Sequence, residues 1–151
     1  MKNIYKYPIF RYNHFLKNDA NDTSNGTIAE KFEGDIQYLL KNGYESTSLF
    51  DLYKRETEGK RLPRRGFVIV LEDGYYSEYE IAFPILKKHN VHADIFVVTE
   101  LMGMNEHPVF KSFIPHFGEA EIIEMESSGL VTVHSHGHKH KWEENWTEQE
   151  K

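Results

Sequence analysis

Gly66-Phe-Val-Ile-Val-Leu71 is an almost unbroken run of apolar, mostly β-branched residues. No other stretch restricts the fold as tightly. A strand with one wet face alternates apolar and polar residues. A strand apolar on both faces must be covered on both, as in a parallel sheet flanked by helices. Two further runs follow, Ala93-Asp-Ile-Phe-Val-Val98 and Leu130 to His134. Helical patterns lie between them. The first, Tyr75 to His89, puts Tyr79, Ala82, Phe83 and Leu86 on one side, where they read as core. Pro84 inside it removes a hydrogen bond and predicts a kink. The second, Glu119 to Ser128, is stopped by Gly129. Strand, helix, strand, long loop (Met102 to Phe117), helix, strand is the order of βα units around a parallel sheet.

The first part of the chain supplies more of the same. A short strand is expected around Pro8 to Tyr12, then a polar loop from Asn18 to Gly26. Thr27-Ile-Ala-Glu30 has the capping-box pattern. Ile28, Phe32, Ile36, Leu39 and Leu40 follow at helical spacing, so a helix is expected over 27–42, with Gly43 as its left-handed stop. Ser46 to Leu49 reads as a short strand, and Phe50 to Glu56 as a brief helix ended near Gly59. No linker and no repeat divides the 151 residues, which suffice for one core.

Composition excludes several classes of function. A net charge of −6 argues against a nonspecific nucleic-acid binder, which needs a basic face. The nearest basic run, Lys60-Arg61 with Arg64-Arg65, is interrupted by Leu62-Pro63 and reads as a solvated loop. With no cysteine there is neither a disulfide nor a thiolate metal site. No apolar run approaches the roughly 20 residues of a transmembrane helix. Met1 to Phe15 has no signal-peptide core.

Ligands in parallel α/β folds sit at the carboxyl ends of strands. Two strands here end in reactive residues. One ends in Glu72-Asp73, the other in His134-Ser-His136, followed by His138 and His140. A catalytic zinc takes three nitrogen or oxygen ligands and leaves a position open. His136 and His140 are four apart, and a helical turn would place both imidazoles on one face. Asp73 can be the third ligand, leaving Glu72 as a base. His134 and His138 form a second pair at the same spacing and are additional candidates; strand alternation puts Thr132, His134 and His136 on one face. Plainer readings exist for each piece. A histidine-rich tract near a terminus can be a solvated tail or bind metal opportunistically, and an acidic pair after a strand is often a turn or cap. His14, His89, His92, His107 and His116 are isolated and read as structural or surface residues.

The sequence also resembles a known family. Val70-Leu-Glu-Asp-Gly-Tyr75, then Tyr79, Ala82-Phe-Pro-Ile-Leu-Lys-Lys88 and Ala93-Asp-Ile-Phe-Val97 look like the first signature block of the polysaccharide deacetylases, carbohydrate esterase family four. Ser128-Gly-Leu130 and Ser135-His136, then His140, look like the second. Phe32 to Leu52, with Lys41-Asn-Gly-Tyr44 and Ser48-Leu-Phe-Asp51, resembles the stretch preceding the barrel. The resemblance implies a distorted (β/α) barrel hydrolase that removes N- or O-acetyl groups from a polysaccharide or oligosaccharide. It implies a divalent metal, zinc above all with cobalt or nickel as substitutes, held by Asp73, His136 and His140. Glu72 takes the place of the catalytic aspartate. The extra methylene moves that carboxylate by ~1.5 Å, where placement to about 0.5 Å matters.

The family's later motifs, including its general-acid histidine, have no counterpart before Lys151, and His107 and His116 do not match that acid. The resemblance therefore implies that 1–151 is one domain, the N-terminal part of the catalytic domain, with the C-terminal portion of the barrel absent. An open barrel exposes a sheet edge, so a homo-oligomer is expected to cover it. The alternative function is a catalytically impaired module that keeps the metal or carbohydrate site for binding or assembly. A third is a histidine tail on an unrelated domain. Whether this chain alone is an enzyme acting on carbon–nitrogen bonds other than peptide bonds is open. So is its compartment, although the family favours the extracellular space or cell envelope.

Overall fold

The structure, a computed structural model, describes residues 6–17, 26–106 and 114–139. Its centre is the strand expected from the apolar run, β5 (Gly66–Asp73), which is buried along nearly its whole length. It pairs in parallel with β1 (Ile9–Tyr12) on one edge and with β4 (Glu45–Ser46) and then β6 (Ala93–Val97) on the other. β6 in turn pairs in parallel with β7 (Val131–Ser135), giving the order β1-β5-β6-β7. A separate two-stranded piece joins β2 (Phe15–Leu16) to β3 (Thr27–Ile28).

Register divides the sheet into two faces, because paired residues point the same way. Ile69, Leu71, Ala93, Ile95, Val97 and Val131 face the helices α1 (Ala29–Lys41), α3 (Phe83–His89) and α4 (Glu119–Ser127). Phe32 and Ile36 of α1, Phe83 and Leu86 of α3, and Met125 of α4 complete this core. The other face is chemically different. There Val70 pairs with Asp94, which pairs with Thr132, and Glu72 pairs with Phe96, which pairs with His134. Among the described residues the sheet does not close on itself. It is part of a (β/α) barrel, with helices outside and polar side chains on the face that would look inward.

Several local expectations are corrected. The helix expected from residue 27 starts at Ala29, and Ile28, at its N-cap, offers no side-chain cap. Thr27 instead donates its amide to His14 O (2.8 Å) and pairs with Phe15, so tertiary pairing overrides the local capping pattern. The strand near Ser46 is Glu45–Ser46, and Ser48 caps α2 (Leu49–Glu58) by accepting from Asp51 N at 3.0 Å. Pro84 does not kink the middle of a helix. A π-helical turn, Glu78–Ala82, precedes it, and Pro84 falls in the first turn of α3, where a missing amide proton is harmless. The 18–26 loop lies outside the described residues except for Gly26, and the Met102–Phe117 loop is described only at its two ends.

Candidate active site

At the carboxyl edge of the sheet β5 runs out in Glu72 and Asp73. Asp73 has φ 80° and the next residue, Gly74, φ 83°. The left-handed region is unfavourable for a residue with a Cβ, and such strain gathers at functional sites. A glycine is required next. A Cβ on Gly74 would lie 3.1 Å from Val97 Cγ1 and 3.3 Å from its Cβ. The turn leaves Asp73 only 8% exposed at the rim of the sheet. On the neighbouring strand end, His136 N donates to Val97 O (2.8 Å), which fixes the histidine above β6. Its ring Nδ1 lies 3.1 Å from Asp73 Oδ1.

The first strand contributes two groups that the sequence reading missed. Asn13, just past β1, directs Nδ2 between the two carboxylates, 3.3 Å from Asp73 Oδ2 and 3.4 Å from Glu72 Oε2. Arg11 on β1 places a guanidinium nitrogen 3.5 Å from Glu72 Oε2. The rule that selected Glu72 and Asp73, reactive residues at strand carboxyl ends, selects Asn13 as well. Arg11 carried no such signal, because only the β1–β5 register brings it opposite Val70 and within reach of Glu72.

Behind this rim lies a buried layer. Burial, and then the Asp73 carboxylate, push the Tyr75 hydroxyl up to about 12. The Tyr75 ring packs between His116 (4.8 Å between centroids) and His14 (5.7 Å). His14 Nδ1 in turn lies 3.1 Å from Ser77 Oγ. Burial holds His116 below its ordinary value, against the pull of Ile114 O and Asp73. Glu78 is wholly buried. Its pKa is driven well up by burial first and by Asp73 next, with the Gly74 and Tyr75 amides offsetting part of this. Neither of its carboxyl oxygens has a partner at proper hydrogen-bonding geometry among the described residues. Glu78 sits in a helical pattern and carried no signal of burial, and His116 was read as isolated.

Asp73 and His136 thus meet directly, and Glu72 is joined to them through Asn13. His134 goes elsewhere: its Nε2 lies 2.8 Å from Asp94 Oδ1, and its ring stacks on Phe96 (4.8 Å, 26°). Phe96 also meets His136 edge-on at 6.4 Å. His138 Nδ1 pairs with Thr99 Oγ1 at 3.1 Å. The second histidine pair therefore does not converge. His140 lies outside the described residues. The described stretch 136–139 is not helical, so the helical-turn reason for pairing His136 with His140 does not apply to it. Among the described residues no group of three metal-ligating side chains is assembled. The Asp73–His136 pair does fit a cation. Two donors each about 2.05 Å from one tetrahedral ion stand roughly 3.3 Å apart, close to the separation here.

A parallel sheet flanked by helices, with an acid–imidazole pair at its carboxyl rim, defines an α/β-barrel scaffold. The chain belongs to the polysaccharide deacetylase family, whose model matches residues 59–151. It is 29% identical over 125 residues to the poly-β-1,6-N-acetyl-D-glucosamine N-deacetylase of Staphylococcus epidermidis, covering 82% of this chain and 41% of that protein. It is 27% identical over 131 residues to YxkH of Bacillus subtilis, covering 87% and 42%. The chain thus spans less than half the length of these relatives. Among solved structures, IcaB from Ammonifex degensii superposes with a TM-score of 0.78 at 22% identity, over 95% of this chain and 56% of that one. That likeness carries the fold.

Proposed function

We propose that the Asp73–His136 rim is a metal-dependent deacetylase centre, with His140 as its third ligand and a divalent cation, zinc first and cobalt or nickel as substitutes. The proposed reaction adds water to an N- or O-acetyl group of a polysaccharide or oligosaccharide, giving acetate and a free amine or hydroxyl. The relative from S. epidermidis makes the N-acetyl group of a β-1,6-linked glucosamine polymer the first substrate to test. The observation that supports this most is the 3.1 Å approach of His136 Nδ1 to Asp73 Oδ1 beside a spare carboxylate, Glu72.

A divalent cation bound there would supply Lewis acidity, acidifying water and polarising the acetyl carbonyl. The protein's own groups do the rest. Glu72 accepts the proton of the attacking water. Arg11 and Asn13 hold its carboxylate on the open face. Asn13 also donates to Asp73 Oδ2, leaving Oδ1 directed at His136. The domain is proposed to be the N-terminal part of a catalytic domain, with self-association or further chain covering the open sheet.

Acetate release from β-1,6-linked N-acetylglucosamine oligomers tests the reaction. Release should require added metal, stop with a chelator, and fall at least about 100-fold in Glu72→Gln, the usual scale for a lost base. Release that survives chelation contradicts the proposal. No release from the wild type, with metal still bound, would favour an impaired binding module. Recovery in Glu72→Asp would then identify side-chain length as the defect.

A further inference from the structure

The basic residues that read as a solvated loop enclose a cavity. Arg55, Lys60, Arg61 and Arg64, with Tyr7, line a concavity of about 450 Å³ at the amino-terminal end of β5. The eight-residue strand separates it from Asp73 by roughly 23 Å, so it is not part of the rim site.

Its wall is built rather than incidental. The Tyr7 ring lies directly on the Gly66 backbone: a Cβ there would stand 2.1 Å from Tyr7 Cε1. The Tyr7 hydroxyl donates to Pro63 O at 2.6 Å, and the Arg55 guanidinium covers the ring at 5.1 Å. Glycine at 66, the tyrosine and the arginine thus form one fixed surface. Lys60 pairs with Asp51, and Arg55 lies 3.9 Å from Glu56. Two of these cations, Arg55 and Lys60, have a structural reason to be here, since they flank the carboxyl end of α2, where the helix dipole favours positive charge. Arg61 and Arg64 have no such reason. They make no ion pair or hydrogen bond with described residues, yet both line the same concavity in a chain of net charge −6.

We propose that this cavity is an anion site for a phosphate-bearing ligand. Guanidinium groups bind phosphate oxygens through paired donors, and several converging on one hollow focus the field there. A volume of about 450 Å³ admits more than a single phosphate group, so an oligophosphate or a phosphate-bearing headgroup is the fitting class. The ligand is neither substrate nor product of the proposed deacetylation, since N-acetyl sugars are neutral, the amine product is cationic, and the acetate released is a small carboxylate that carries no phosphate. The site stands or falls independently of that reaction.

The test uses the whole chain and two probes, sodium tripolyphosphate by calorimetry and vesicles of phosphatidylglycerol against phosphatidylcholine by co-sedimentation. Arg61→Gln/Arg64→Gln replaces two exposed side chains, and its melting curve checks folding. The expected result is saturable, salt-sensitive binding of one probe, weakened at least tenfold in the double variant and unchanged in Asp73→Ala. Binding of tripolyphosphate identifies a soluble phosphate ligand. Binding of the anionic vesicles alone identifies a lipid headgroup. Binding of neither, or equal binding by the folded double variant, overturns the proposal.

Discussion

Two carboxylate–imidazole pairs sit on neighbouring strands, Asp94 with His134 and Asp73 with His136. Their contacts are similar in length, 2.8 and 3.1 Å, but their surroundings differ. Asp94 lies within β6 and is fully buried. One oxygen accepts from Leu49 N at 2.9 Å, at the start of α2; the other takes His134. It is saturated by groups that belong to the fold. Asp73 lies at the end of β5, in a strained backbone conformation, at the rim. Its other contacts are a long one from Asn13 at 3.3 Å and one with the Tyr75 hydroxyl, and its side chain is 11% exposed where that of Asp94 is 0%. The same two residue types therefore make a structural tie in one place and, in the function proposed above, a cation site in the other. Position along the strand and burial of the carboxylate separate them.

The largest effect is expected where the tie is buried. Asp94→Ala leaves the Leu49 amide and His134 without their acceptor and should cost about 3–5 kcal/mol in urea unfolding. A loss below about 1 kcal/mol would remove the distinction drawn between the pairs. Gly74→Ala comes next, because it forces a Cβ into the left-handed region and against Val97. It should lower stability by about 2 kcal/mol by the same measurement.

Glu78 provides a pH test. Its folded-state pKa lies well above its ordinary 4.5, so the fold favours its neutral form. Its stabilising contribution is complete below that value and drains away as pH rises towards the folded pKa. Glu78→Gln should therefore melt higher than wild type at pH 8 and lose that advantage at pH 4. An unchanged difference across this range would contradict the assignment. The smallest stability effect is expected at the rim itself. Asn13→Ala removes two long hydrogen bonds, for a loss under about 1 kcal/mol, while acetate release should fall by a larger factor than stability implies.

Much of this was legible in the sequence because it rests on local pattern. The apolar run at Gly66–Leu71 announced a doubly covered strand, and Gly43, Gly59 and Gly129 each follow a helix in a left-handed conformation. Glu72, Asp73 and His136 were visible as reactive residues following apolar runs. What the sequence could not show depends on register. Thr27 abandons its capping pattern because β2 claims its backbone. Arg11 reaches Glu72 only through the β1–β5 pairing. The partner of His134 is Asp94, which from sequence is one polar residue inside an apolar run. The cavity at Arg61 and Arg64 requires Tyr7, more than fifty positions away in the chain, to form its wall.

The convergence of Asp73 and His136 on one cation is tested most directly by zinc titration of the metal-free protein against a competing chelator, comparing wild type with Asp73→Ala, His136→Ala and His134→Ala. One tight site is expected, lost in the first two variants and kept in the folded His134→Ala protein. Undiminished zinc affinity in Asp73→Ala would place the metal on the histidine tract alone and contradict the account.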